Sequence, residues 1–310
     1  MNTDQLFLGI DIGGSSIKYG VGNRKQGLQS FQSLPVTQKD LSGLEGLIVQ
    51  IISEMQISSV WNGIKAIGIG TPGLIDRKTG QLVGINPNLP FWIDIRPESI
   101  VPPDLSIPVF SDNDANLMAL AESTQYPLDA CVLGITIGSG IGSGYVVASR
   151  IYHGSNGFAM ELGHVCVAPG GALCNCGRQG CLEAYAAEKG MRNRLQERGK
   201  DLSRIQLAEL LSLAKTDTVV QDVVDTGISY MALAVGNAIM LLDPDVVVFG
   251  GGGSEIADYP LKELIKMIRS YLPEPVNHRI KLEKAHMGNK SGVLGAILHA
   301  ESLFADTWER

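Results

Sequence analysis

Three cysteines fall within eight residues of LCNCGRQGCLEAY (Leu173 to Tyr185), in a chain that has five. Thiols so spaced could close a disulfide, run a redox exchange or ligate a soft metal ion. An acid, Glu183, follows the last thiol by two positions. The rest of the chain narrows the choice. No uninterrupted run of about 18 apolar residues occurs, so no membrane span is expected. The opening MNTDQLFLGIDIGG has no basic start and carries an acid inside its apolar run, unlike a secretory leader. The expected location is the cytoplasm, where thiols stay reduced, which favours ligands over disulfides. A net charge of −7 argues against a nucleic-acid partner, which wants a basic face.

A second chemistry-bearing pattern is repeated. LGIDIGGSSIKYGV (Leu8 to Val21) and LGITIGSGIGSGYV (Leu133 to Val146) start alike, and each places a glycine-rich turn between two apolar runs. The spacing predicts two hairpins whose turns offer backbone N–H groups: Gly13, Gly14, Ser15 and Ser16 in one, Gly138, Ser139 and Gly140 in the other. Two such nests facing each other could clamp a polyphosphate. Asp11 and Thr136 stand at equivalent places ahead of the turns.

Around these turns the pattern alternates between strand and helix, so the expected class is α/β. GIKAIGIGTPG (63–73) is expected as a buried strand ending in a Pro-Gly turn. Residues 41–55 have helical spacing. IPVFSDNDANLMALAES (107–123) predicts a strand, a polar corner and a helix. A mostly helical stretch over 183–241 precedes DPDVVVFGGGGSE (243–255), a strand running into glycines, and residues 291–305 are again helical. The proposed division is residues 1–112 plus 291–310 in one lobe and 113–290 in the other.

Taken in order, these segments resemble the ROK group of repressors, open reading frames and sugar kinases. GIDIGGSSIKYG and GITIGSGIGSG resemble that family's phosphate loops, SDNDAN its catalytic corner and FGGGGSE its adenosine loop. ELGHVCVAPGGALCNCGRQGCLEAY resembles its zinc and sugar segment. The resemblance implies a two-lobed actin-like ATPase fold, a duplicated ribonuclease H-like α/β architecture. It implies a structural Zn²⁺ held by His164, Cys174, Cys176 and Cys181, a donor set that suits a closed tetrahedral site. Cys131 and Cys166 fall outside it and are read as small core residues. Glu161, Glu183 and His164, through its other ring nitrogen, are implied sugar contacts, as are Asn113, Gly73 and Asn88. Asp114 is the implied general base. Asp112 and Asn116 could cap the following helix, at whose N-terminus Asp114 is expected to stay ionised. Asp11 is read as a ligand of Mg²⁺ through water. Lys18 either adds charge for phosphate or lies on a solvated face, and Gly250, Gly251 and Gly252 would accept a base and ribose. Two positions depart from the family pattern: Ser15-Ser16 in the first loop, and Met160, where a Gly is common.

The implied activity is transfer of a phosphoryl group from ATP to a hexose, glucose at its 6-hydroxyl being the first choice. An N-acetylmannosamine or N-acetylglucosamine kinase and a non-catalytic sugar-responsive regulator are the alternatives. A DNA-binding repressor is disfavoured, because the first loop begins within about a dozen residues of Met1 and leaves no room for a helix-turn-helix domain ahead of it. A homodimer is expected from the family; no nucleic-acid or membrane partner is.

Overall fold

The computed structural model describes residues 5–84 and 89–308. The chain forms two compact units, residues 1–121, 151–159 and 290–310 in the first and 122–150 and 160–289 in the second. Residues 113–121 and 151–159, placed in the second lobe by the sequence division, cluster with the first unit.

In the first unit, Leu6–Ile12 (β1) and Ser16–Asn23 (β2) form the first glycine hairpin. Gly27–Leu28 (β3) and Gln32–Pro35 (β4) both pair with β2. Leu41–Gln56 (α1) starts at Asp40, whose carboxylate accepts from the Gly43 amide at 2.8 Å. The helix buries Leu44, Ile48, Ile51, Ile52 and Met55, an i, i+4 stripe that supplies one side of the core. Ile64–Thr71 (β5) lies parallel to β1, and after a short ribbon of Leu74–Ile75 (β6) and Leu82–Val83 (β7), Val109–Asn113 (β8) lies parallel to β5. The sheet order is β3-β2-β1-β5-β8. Asp114–Ser123 (α2) follows β8 without a break, and the C-terminal helix Ser291–Trp308 packs on β1, β5, β2 and β8.

The second unit repeats the plan. Cys131–Ile137 (β9) and Ile141–Val147 (β10) form the second hairpin, extended by Arg150–Ile151 (β11). Val246–Gly250 (β12) runs parallel to β9, and Lys281–Lys284 (β13) parallel to β12. Glu183–Ala186 (α3), Glu188–Glu197 (α4), Leu207–Ala214 (α5) and Thr218–Leu242 (α6) carry most of the apolar cover, joined by Leu261–Ser270 (α7) and Glu274–Arg279 (α8). Of these, α6 is long and apolar enough to cross a membrane by composition alone, which a search for uninterrupted apolar runs does not see. It buries Val223, Met231, Val235 and Ile239 in the unit's own core.

The duplication is visible residue by residue. β1 and β9 share one burial pattern, with a partly exposed residue at the sixth position: Asp11 in one, Thr136 in the other. Asp11 lies opposite Lys18 and beside Gly70; Thr136 lies opposite Gly142 and beside Gly250. The same strand pairing thus leaves an acid in one copy and a hydroxyl in the other.

Candidate active site

The first unit gathers its polar groups at the ends of β1, β5 and β8. In the first turn the Gly13 amide donates to the Ser16 carbonyl at 3.0 Å, so this glycine shapes the turn rather than offering its N–H outward. Lys18 Nζ stands 3.5 Å from Asp11 Oδ2, which makes it the partner of Asp11. At the start of α2 the sequence expectation of Asp112 or Asn116 as cap is corrected. Asn113 does the capping: its Oδ1 accepts from the amides of Ala115 at 2.9 Å and Asn116 at 3.3 Å. Its Nδ2 donates to the Gly73 carbonyl at 3.0 Å, bringing two predicted sugar contacts together and leaving one N–H of the amide for a ligand.

Asp114 departs further from expectation. A carboxylate at a helix N-terminus should ionise readily. Burial, and next the charge of Asp11, instead raise its pKa from 3.8 to about 7, against the pull of the Ala115 amide and Lys18. Burial also raises Asp11, partly offset by Lys18. Two acids held above the ordinary range in one polar corner are a common mark of proton-transfer chemistry. Sequence patterning does not single out Gly292, at the start of the C-terminal helix. A Cβ there would lie 2.6 Å from the Asp11 carboxylate, so only glycine allows the helix end to approach this close. Nor does it reveal His153 and His299, which both turn Nε2 toward Asp112.

The second unit holds the candidate metal-ligating set. Ligand atoms of His164, Cys174, Cys176 and Cys181 lie within 4.8 Å of one another. His164 Nδ1 is 3.7 Å from Cys174 Sγ, and Cys176 and Cys181 Sγ are 3.7 Å apart. A zinc tetrahedron with bonds of about 2.3 Å to sulfur has edges of ~3.8 Å, which the two 3.7 Å pairs match, so the donor set fits the ion after closing its wider separations. Burial pushes the Cys174 thiol up to about 12, a proton a bound cation would displace. The ring's other nitrogen, Nε2, faces Glu161 at 4.0 Å, so one histidine reaches the metal set and a candidate sugar-binding acid by opposite sides. Cys166, expected in the core, is exposed instead; it faces Cys181 across an isolated bridge without joining the cluster.

This segment reaches the second glycine turn. Glu183 Oε2 accepts from the Ile141 amide at 3.0 Å, and Gly138 is engaged on both sides, donating to Gly140 O and accepting from the Glu188 amide, each at 3.0 Å. Thr136 Oγ1 accepts from the Gly142 amide at 3.1 Å. Glu183, expected as a sugar contact, is thus also a strut of the second turn. Met160 adopts φ +69°, a left-handed conformation, which accounts physically for glycine suiting this place. Beyond β12, Gly251 has φ +83° and a Cβ would meet the Ile137 carbonyl at 2.5 Å, so the chain turns hard against β9 at Gly251, while a Cβ at Gly252 would meet nothing within 4 Å. Asn88 lies outside the described residues.

Two glycine hairpins on duplicated sheets, an acid pair at the end of one and a thiol-imidazole cluster bracing the other, define an α/β protein of the actin-like ATPase type. The chain belongs to the ROK family, whose model matches residues 7–302. A glucokinase of Halalkalibacterium halodurans is 31% identical, with 94% of each chain covered. A putative xylose repressor of Caldicellulosiruptor sp. is 26% identical over 94% of this chain and 77% of its own. The crystal structure of the ROK hexokinase of Thermus thermophilus is 30% identical, covers 97% of this chain and 100% of its own, and superposes with a TM-score of 0.83.

Proposed function

We propose that this chain is a sugar kinase that transfers the γ-phosphoryl group of ATP to the 6-hydroxyl of a hexose, glucose first. The observation that carries the reading is Asp114, a half-buried acid at the first position of α2, next in the chain to the capping Asn113 and held near neutrality by its surroundings and the Asp11 charge. An acid titrating near the working pH is well matched to take a hydroxyl proton. In the transfer, the sugar oxygen bonds to the γ-phosphorus, the bond to the bridging oxygen of ADP breaks, and the hydroxyl proton passes to an Asp114 oxygen. Asn113, Gly73, Glu161, His164 and Glu183 are the candidate hydroxyl-binding groups. Ser15, Ser16 and Ser139, with the turn amides other than those of Gly13 and Gly138, are the candidate donors for phosphate, and Gly250 to Gly252 a candidate surface for adenosine. Mg²⁺, which Asp11 would hold through water, supplies charge neutralisation on the phosphates when bound. Zn²⁺ at the thiol-imidazole cluster would fix the segment that carries Glu161 and Glu183.

A coupled ADP-release assay over a hexose panel, with ATP, Mg²⁺ and zinc-loaded protein, tests this reading. Glucose is expected to give the highest kcat/KM. A preference for N-acetylglucosamine or N-acetylmannosamine would retire glucose and keep the kinase; silence on every sugar would retire the kinase.

Gly292→Ala is expected to act through Asp11. The added methyl displaces the carboxylate, and a shift of about 1 Å near a reacting centre costs on the order of 10²-fold in turnover. The loss should come with a higher Mg²⁺ requirement and an unchanged zinc content. A Mg²⁺ titration that superposes on wild type would remove Gly292 from this role.

A further inference from the structure

Asp112 is the corner residue that the proposed chemistry does not use. It is 5% exposed, yet both of its oxygens are engaged. Oδ1 accepts from the Asn113 amide at 2.8 Å and from Asn116 Nδ2 at 2.9 Å. Oδ2 makes a short hydrogen bond with His153 Nε2 and lies 3.6 Å from His299 Nε2. Burial alone would raise this carboxyl; the His153 bond, the His299 and His153 rings and Asn116 outweigh it and hold the pKa at about 2. An ionised carboxylate only accepts, so His153 must present Nε2–H to it. Burial lowers the His299 pKa, which keeps that ring neutral near pH 7.

The two rings come from distant parts of the chain. His299 sits on the C-terminal helix, 6% exposed. His153 sits in residues 151–159, the short stretch that joins the first unit while the chain on either side builds the second. That stretch is docked at a further point: the Arg77 amide donates to the Asn156 carbonyl at 3.0 Å. A few positions on, the chain reaches Met160, in its left-handed conformation, and Glu161.

We propose that His153 is a positioning residue for the Asn113–Asp114 corner, acting through Asp112, so that docking of residues 151–159 sets where the candidate base and sugar-binding amide stand. The Asp112 carboxylate works as a junction. The His153 N–H fixes Oδ2, which aims Oδ1 at the Asn113 amide and the Asn116 side chain, and those in turn fix the first turn of α2. Without the imidazole, a buried ionised oxygen loses its strongest donor and the carboxylate rotates to find another. The inference deepens the sugar-kinase reading and rests on it for its kinetic arm.

The test compares wild type, His153→Ala and His153→Gln as full chains, with glucose, ATP and Mg²⁺ as probes. Alanine is expected to lower kcat about 10- to 100-fold, the size of a small misplacement. It should raise the glucose KM and leave the ATP KM within about twofold. Glutamine, which carries an N–H donor close to the Nε2 place, should restore most of the loss. An arm free of turnover follows amide exchange at Asn113 and the imidazole N–H proton by NMR. Asn113 protection should fall in the alanine variant and return in the glutamine variant. Wild-type kinetics together with unchanged Asn113 protection in the alanine variant overturns the proposal. So does a glutamine variant no better than alanine, which would mean that ring packing rather than the N–H matters. If wild type phosphorylates no hexose, the kinase reading fails on its own, and the NMR arm still decides the positioning role.

Discussion

Asp114→Asn is expected to cost activity and add stability at once. Removal of a general base typically lowers the rate by about 10²- to 10⁴-fold. The stability change follows from the direction of the pKa shift. The folded protein holds Asp114 at about 7, above the ordinary 3.8, because burial and then the Asp11 charge disfavour the anion. A raised acid contributes stability that is fully present below the unfolded value and is lost as pH rises through the folded one. Wild type therefore carries a strained anion at pH 8 that the asparagine variant lacks. At about 1.4 kcal/mol per pKa unit, the gain is at most about 4 kcal/mol above pH 7 and vanishes near pH 4. The wild-type acid limb of kcat/KM should lie near pH 7, not near 4. Thermal melts of both proteins at pH 4 and 8, set beside turnover, check the prediction. Near-normal turnover in the folded variant, or a Tm difference that ignores pH, would end the assignment.

How much of this was legible in the sequence depends on how local each feature is. Both hairpins are local: glycine turns between apolar runs have few alternatives, and β1 and β9 come out with matching burial. The metal set is nearly local, with its thiols inside eight residues and His164 ten positions before the first. The Asp112 junction is not, because His153 lies 41 positions on and His299 near the other end of the chain. No periodicity reports that kind of convergence. Asn113 took the capping role because its Oδ1 reaches the first free amides of α2, whereas Asp112 was drawn away by the imidazoles. The ionisation of Asp114 was misread because a helix terminus is visible in sequence, while burial and the neighbouring Asp11 charge are not. Cys166 was misread because its apolar neighbours resemble a core run, although the side chain emerges at the surface.

Removal of zinc is expected to loosen the second glycine turn without touching the first unit. Residues 165–183 have few apolar side chains to pack. Their shape rests on a small cluster around the buried Cys174 and Cys181, on backbone hydrogen bonds such as Val167 to Gly180 and Cys174 to Arg178, and on the Tyr185 hydroxyl, which accepts from the Ala172 amide at 2.7 Å. In small isolated sites a structural zinc contributes on the order of 10 kcal/mol, an upper limit for a segment attached to a packed core. Without the ion, burial favours the protonated form of Cys174, and three thiols and an imidazole no longer hold one another. The consequence travels by a bonded route: Cys181 is a candidate ligand, Glu183 follows two positions later, and its carboxylate holds the Ile141 amide at 3.0 Å. Cys181→Ser or prolonged chelation should release about one zinc per chain. Amide exchange should then rise over 165–183 and at 138–142, with β1 and β5 unchanged. The ATP KM should rise more than the loss of sugar contacts alone would require. Glu183→Gln, which keeps an acceptor for Ile141, separates the two effects: it should retain the metal and the protection of 138–142 while weakening the sugar. Protein purified without metal and equally protected over 165–183 would mean that packing alone holds this segment, and the strut from the cluster to the turn would lose its cause.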